Sequence, residues 1–210
     1  MGGFLSMSGI VGAGSAAVEQ ALLAFAASRK GSFQKLPRST DESNTLVMLG
    51  GDSRCSVVYP WGFFDWDEAS RYLSAHLRAP VFSLHIHDGD FWMFVLFDRG
   101  NQVAQFNPLP EYWDDNISDE DRAFWAGDAA AVAARIPGLA PRAIEPYFRH
   151  WDFEEEEPGK AFAEDRFGYH DCWQLCDFMG KVGLKYPLDD AGKILGEAYE
   201  FVIPNEQSKG

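Results

Sequence analysis

Basic residues are scarce in this chain of 210 residues, which contains 18 Lys and Arg against 32 Asp and Glu. A protein that binds nucleic acid or an anionic lipid surface needs basic side chains to neutralise phosphates. The formal net charge of −14 therefore disfavours both kinds of partner. Hydrophobic residues make up 46 % and aromatic residues 15 % of the chain, which indicates a folded protein with a large buried area.

Cysteines are also few, and their number, three, is odd, so no disulfide framework is predicted. Cys172 and Cys176 lie four residues apart, a spacing that suits neither a CxxC redox motif nor a zinc knuckle. We expect reduced core thiols in a cytoplasmic protein. The first basic residue is Arg29, which argues against a signal peptide. Residues 1–14 are expected to form a loose lead to a helix that begins near Ser15.

The acidity is concentrated in one part of the chain. Residues 111–171 carry sixteen acidic and six basic side chains, a net charge of −10, whereas residues 1–80 are neutral overall. No internal repeat and no long linker interrupts the chain. We therefore predict a single domain spanning residues 1–210, in which 111–171 is an acidic segment of short helices and loops.

The predicted fold class is α+β, with a mostly antiparallel sheet of about five strands flanked by helices. Strands are expected at 45–49 and 54–59, on either side of a Gly-rich turn. Asp65, with Glu68 three residues later, predicts the capped start of a helix. Residues 31–44 are expected to be a loop, and the segment from Asp189 a short helix.

A three-stranded antiparallel meander is predicted over residues 81–106. Asp88-Gly89 favours a two-residue turn, because both positions of a type I′ turn need positive φ. Such a turn pairs His87 with Asp90, and alternation then creates one apolar face. The residues expected on that face are Phe82, Leu84, Ile86, Phe91, Met93, Val95 and Phe97. The middle strand is apolar on its other side as well, so both of its faces should be covered.

His85 and His87 are candidate metal ligands. They project from the same face of a strand, about 7 Å apart, and Asp90 is expected beside His87. A metal-dependent enzyme built on these three residues is therefore an alternative function. A catalytic zinc would need a further ligand beside the two histidines, from His150, His170 or Asp171, and nothing in the sequence places any of them nearby. In the structural alternative, His85 stacks on Trp92 and His87 pairs with Asp90. No nucleophile elbow or phosphate loop is present, and no cofactor is predicted.

The acidic segment interleaves carboxylates with aromatic residues. Aromatic side chains supply most of the energy of protein interfaces, and surrounding charge steers a partner of opposite sign. The leading hypothesis is a non-enzymatic interaction protein that binds a basic protein partner, of which an immunity or antitoxin factor is one form. In the competing interpretation the tryptophans are core residues and the acids are solvated surface. The candidate binding residues are Trp113, Asp114, Asp115, Asp119, Glu120, Asp121 and Trp125.

A small-ligand-binding domain is a third possibility. It would place an aromatic pocket on the sheet face that carries Trp92 and Phe94. The sequence does not indicate an oligomeric state.

Several motifs resemble those of a group of uncharacterised bacterial proteins. The similar stretch runs from Val81 to Trp113 and includes the sequences HDGD at 87–90 and PEYW at 110–113. WAGD at 125–128 and WQLCDF at 173–178 fit the same pattern. The resemblance covers about half of the chain. It implies a bacterial, cytoplasmic, single α+β domain and assigns no catalytic residue.

Overall fold

The computed structural model describes residues 3–37, 45–114 and 116–204. An eight-stranded antiparallel sheet is flanked by helices, which confirms the α+β class, whereas the expectation of about five strands is wrong. The strands are β1 Leu5–Val11, β2 Ser32–Lys35, β3 Thr45–Gly50, β4 Arg54–Val58, β5 Pro80–His87, β6 Phe91–Asp98, β7 Asn101–Phe106 and β8 Glu197–Val202. The helices are α1 Ser15–Ser28, α2 Trp66–Leu77, α3 Asp119–Phe124, α4 Ala129–Ala133 and α5 Gln174–Lys181, with 3₁₀ turns at Pro110–Trp113, Pro141–Ala143 and Glu145–Tyr147.

The sheet order is β2-β8-β3-β4-β1-β5-β6-β7, so the first strand lies inside the sheet. The expectation that residues 1–14 form a loose lead is therefore wrong. The serines and the glycine of β1 make this strand hard to recognise from the sequence. In the structure Ser8 is buried, and its hydroxyl lies 2.7 Å from both Tyr59 Oη and Ser70 Oγ. At Gly9 a Cβ would come within 2.4 Å of the Leu184 side chain, so a larger residue would require that side chain to shift.

Two further strands were not predicted. β2 lies in the segment expected to be a loop, of which residues 38–44 are outside the described ranges. β8 replaces the short helix expected after Asp189, and it pairs with both β2 and β3. Both strands are short, and their partners are far away in the sequence. Their formation therefore depends on tertiary pairing rather than on local propensity.

Two layers cover the sheet. α1 and α2 pack on one face, where Leu22, Phe25 and Leu73 join a core with residues of β3, β4 and β8. The opposite face is covered by α5 and by the chain between α4 and Leu184. An aromatic cluster fills that second interface, and its members are Phe82, Trp92, Phe94, Phe106, Tyr147, Phe148 and Phe178.

The register of the β5–β6 hairpin differs from the prediction by one residue. Asp88 and Gly89 do have positive φ, 51° and 80°. However, the first pair of the ladder joins His87 to Phe91, and Asp90 is an extra residue whose N–H donates to the His87 carbonyl at 2.9 Å. A shift of one residue moves every side chain to the other face. The predicted apolar face is therefore wrong.

In the observed register, Trp92, Phe94 and Leu96 share a face with Phe82, Leu84 and Ile86, on the side of α5. Phe91, Met93 and Val95 lie on the other face, together with their cross-strand partners His87, His85 and Ser83. Because Phe91, Trp92, Phe94 and Val95 are all buried, the prediction that both faces of the middle strand are covered is confirmed.

Side chains cap the starts of two short helices. Ser118 Oγ accepts from the Asp121 N–H at the start of α3, and Asp128 Oδ1 accepts from the Ala131 N–H at the start of α4. Asp65 precedes α2, but its side chain makes no cap hydrogen bond. Within the described ranges, none of the helices combines the length and apolarity needed to cross a bilayer.

We expect Phe178→Ala to lower the free energy of unfolding by about 3–5 kcal/mol, because Phe178 is fully buried in the aromatic cluster of α5. Phe64→Ala is the matched control, since that side chain is 78 % exposed and its loss should cost less than about 1 kcal/mol. Urea denaturation of both variants measures the difference. Equal costs would contradict the placement of α5 against the sheet.

The three cysteines are free thiols, and burial raises the pKa of each: Cys55 and Cys176 to about 12, and Cys172 to about 11. Because the thiolate is the reactive form, we expect native protein at about pH 8 to react very slowly with a disulfide reagent such as DTNB. Denatured protein should release three equivalents of product at once. A thiol that reacts within seconds in the native state would contradict this burial.

Candidate functional site

His85 lies on the sheet face covered by α2, at the point where that helix begins. The His85 ring stacks on Trp66, with ring centroids 4.6 Å apart and planes inclined by 6°. The expected stacking on Trp92 is wrong, because the shifted register sends Trp92 to the opposite face. There the indole Nε1 donates to Gln174 Oε1 at 3.1 Å.

The His85 imidazole is neutral at physiological pH. Its burial, together with the nearby His87, lowers the pKa of His85 to about 4, while a hydrogen bond with the Leu5 backbone opposes that shift. His85 Nδ1 and Ser83 Oγ are both buried and have no hydrogen-bond partner among the described residues. Two neighbouring polar atoms on one strand face are thus left unsatisfied, which is uncommon in a folded protein.

His87 is surrounded by aromatic rings. Its centroid lies 5.0 Å from Phe4 and Trp113 and 5.4 Å from Tyr112. The structural alternative expected the Asp90 side chain to pair with His87, and this expectation is wrong. Instead Asp90 accepts a hydrogen bond of 2.7 Å from Tyr112 Oη, and this bond raises the pKa of the Tyr112 hydroxyl.

The proposed metal ligands come together only in part. The His85 and His87 rings lie 5.6 Å apart on one face, as predicted, but Asp90 belongs to the turn and is bonded to Tyr112. Among the residues that the structure describes, no three His, Cys, Asp or Glu side chains are grouped so that they could hold a metal ion. The metal-dependent alternative therefore gains no third ligand from the tertiary structure.

A cavity of about 250 Å³ opens beside the two histidines. We call it the histidine cleft. Its floor is formed by β5 and β6, one wall by the start of α2, and the other wall by the 3₁₀ turn that ends at Trp113. The lining residues are Trp66, Asp67, Ser83, His85, His87, Met93, Phe94, Val95 and Trp113.

The candidate binding residues of the acidic segment lie on the 3₁₀ turn and on α3. Trp113 is 56 % exposed, and Asp114 follows it on the surface. Asp119, Glu120 and Asp121 are exposed in the first turn of α3. A salt bridge of 3.1 Å between Arg122 and Glu111 ties α3 to the 3₁₀ turn. Trp125 is half-buried, and Asp115 lies outside the described residues.

Some aromatic residues of the remaining acidic segment belong to the core. Tyr147 and Trp151 are buried, as the competing interpretation of the segment expects for core aromatics. Asp165 is buried as well and accepts a hydrogen bond of 2.9 Å from Tyr147 Oη. Glu155 forms a salt bridge with Arg149. Phe153 is 59 % exposed beside Asp152 and Glu154, so exposed aromatic and acidic side chains remain there as well as around Trp113 and α3.

The small-ligand pocket expected at Trp92 and Phe94 is absent from the described structure. Both side chains are closed off from solvent, and Phe106 and Phe178 pack against them. The position of that pocket was a wrong prediction.

Phe4, Trp66, Asp67 and Ser83 also contribute to this site, and none of them is among the candidate residues predicted from the sequence. The alternation of Ser83, His85 and His87 along one strand was the available signal for Ser83. No sequence signal places α2 over this strand, because their contact is a product of packing.

No family model, curated protein or solved structure matches this chain. The resemblance of the stretch 81–113 stays a hypothesis.

The neutral, buried His85 makes stability depend on pH. The unfolded chain takes up a proton near pH 6.5, whereas the folded state resists protonation down to about pH 4. We therefore expect stability to fall by up to roughly 3 kcal/mol from His85 alone as the pH drops through this interval. His85→Phe should flatten that part of the curve, measured by urea denaturation at several pH values. His76→Phe, at an exposed position of α2, is the control and should leave the curve unchanged.

Proposed function

We propose that this protein binds a basic protein partner through a surface made of the 3₁₀ turn at 110–113 and α3. The observation that carries the proposal is the exposure of Trp113 beside Asp114 and the carboxylates of α3. Tryptophan is the side chain most enriched among the energetic anchors of protein interfaces, and it stacks well on cationic groups.

Large exposed aromatic side chains continue this surface. A monomer usually buries such groups, and a cluster of them on the surface commonly marks an interaction site. Phe4 and Tyr112 contact His87 at the C-terminal end of β5, and Phe64 lies near Trp66. The exposed members near the site are Phe4, Phe64, Tyr112 and Trp113.

The carboxylates of this surface are electrostatically available. Among the residues that the structure describes, Asp114, Asp119, Glu120 and Asp121 take part in no ion pair. Their field extends into solvent, and it would attract a basic partner and raise its association rate. Inhibitors of basic enzymes, including immunity factors of toxins, act through this physical principle.

Helix stability alone explains part of this arrangement. Acidic residues in the first turn of a helix interact favourably with its dipole, so Asp119, Glu120 and Asp121 would stabilise α3 in any protein. That effect gives no reason for the exposure of Trp113. We therefore base the proposal on the tryptophan and treat the acids as the part that selects the sign of the partner's charge.

Two changes test the proposal. A basic protein captured from a lysate of the native cells should be purified and its Kd measured by surface plasmon resonance. Trp113→Ala should raise this Kd by about 30-fold or more, because it removes a central anchor. The double variant Asp119→Lys/Glu120→Lys should slow association and weaken its dependence on salt, because it removes the steering charge.

Matched controls separate this surface from general effects. Leu23→Ala removes a side chain of α1 that is 45 % exposed, and Glu156→Lys/Glu157→Lys changes the same number of charges on another loop. Both should leave the Kd within about threefold of the original. The proposal fails if Trp113→Ala binds as the original protein does, or if capture at low salt retains no basic protein.

A further inference from the structure

We infer that the histidine cleft receives a guanidinium group, namely the arginine side chain of the basic partner. The inference rests on the proposed function and extends it by naming the side chain that the cleft recognises. Three features of the cleft support it, which are its unsatisfied polar atoms, its aromatic walls and its charge.

The first feature is that Ser83 Oγ and His85 Nδ1 lack a hydrogen-bond donor among the described residues. Ser83 and His85 are only 2 % and 7 % exposed, both line the cleft, and each has a buried side-chain atom without a partner in the described ranges. A neutral imidazole has one N–H, and we take the tautomer in which Nε2 carries it, so that the unpartnered Nδ1 is an acceptor. An N–H donor in the cleft would satisfy both Nδ1 and Ser83 Oγ.

The walls suit a flat cation. Trp66 lies parallel to His85, and Trp113 faces the cleft next to His87. A guanidinium group is planar, weakly hydrated and stacks on indole faces, whereas an ammonium group is compact and strongly hydrated. A volume of about 250 Å³ is below the usual range for drug-sized ligands and fits a single side chain.

The charge of the cleft favours a cation over an anion. Asp67 lines the cleft and makes no ion pair among the described residues, and the lining residues include no Lys or Arg. The N-terminus of α2 by itself would attract an anion. However, its first turn already contains Asp67 and Glu68, which repel one. Glu68 is paired with Arg29, so Asp67 is the carboxylate left to face a cationic ligand.

Ethylguanidinium is the probe for the cleft, because it carries the recognised group without the rest of a partner. We expect saturable binding with a Kd in the millimolar range, measured by NMR titration of the protein. The His85 Nδ1 resonance should shift on binding, and before binding the ring should show the Nε2–H tautomer. Ethylurea has a similar shape but no charge, and inorganic phosphate is an anion. Each should bind at least about tenfold more weakly.

Three substitutions test the assignment residue by residue. Ser83→Ala and His85→Phe remove an unpartnered acceptor without opening a large cavity, so the variants should fold. Each should weaken ethylguanidinium at least about tenfold. Asp67→Asn removes the charge and should weaken it about fivefold. Asp52→Asn, in the exposed β3–β4 turn, is the matched control and should have no effect.

The results separate this inference from the proposed function. If ethylguanidinium fails to bind, or if ethylurea or phosphate binds equally well, the inference is overturned, even when partner capture still depends on Trp113 and α3. If the probe binds as described and no basic protein is captured, the cleft is a guanidinium site and the proposed function falls. Loss of both overturns both.

Discussion

The backbone pairing of His87 with Phe91 determines how the two faces of this molecule are built. Side chains alternate along a strand, so the single extra residue Asp90 decides which layer receives each residue of β6. In the observed register the large rings of Trp92 and Phe94 meet α5, and His85 meets Trp66 at the start of α2. The histidine cleft exists because of this one-residue offset.

Both faces of the sheet hold buried polar atoms without partners. On the α5 side, the buried indole of Trp92 donates to Gln174 Oε1 and aromatic rings fill the surrounding space, but Gln174 Nε2 and Trp151 Nε1 have no partner among the described residues. On the α2 side, Ser83 and His85 hold unpartnered atoms next to a cavity. A buried polar atom without a partner costs free energy. A ligand that supplied partners to Ser83 and His85 would remove this cost, which is the basis of the inference drawn for the histidine cleft.

The acidic segment has two separate physical roles. Tyr147 and Trp151 cover the sheet, and the buried Asp165 is held by the Tyr147 hydroxyl, so these residues stabilise the second layer. Trp113 and α3 instead remain at the surface beside the histidine cleft. The concentration of charge in the sequence therefore does not by itself locate a binding surface. The exposure of one tryptophan next to unpaired carboxylates is the observation on which we base the proposed surface.

The sequence by itself determined the features that depend on neighbours along the chain. These are the α+β class, the β3–β4 and β5–β6–β7 hairpins, the caps at Ser118 and Asp128, and the common face of His85 and His87. Only the tertiary structure decided the features that depend on distant segments. β1 is a central strand because β4 and β5 pair with it on either side. β8 is a strand because it pairs with β2 and β3. Trp66, Asp67 and Trp113 surround the two histidines for the same reason, since packing brings together residues whose separation along the chain leaves no periodic signal.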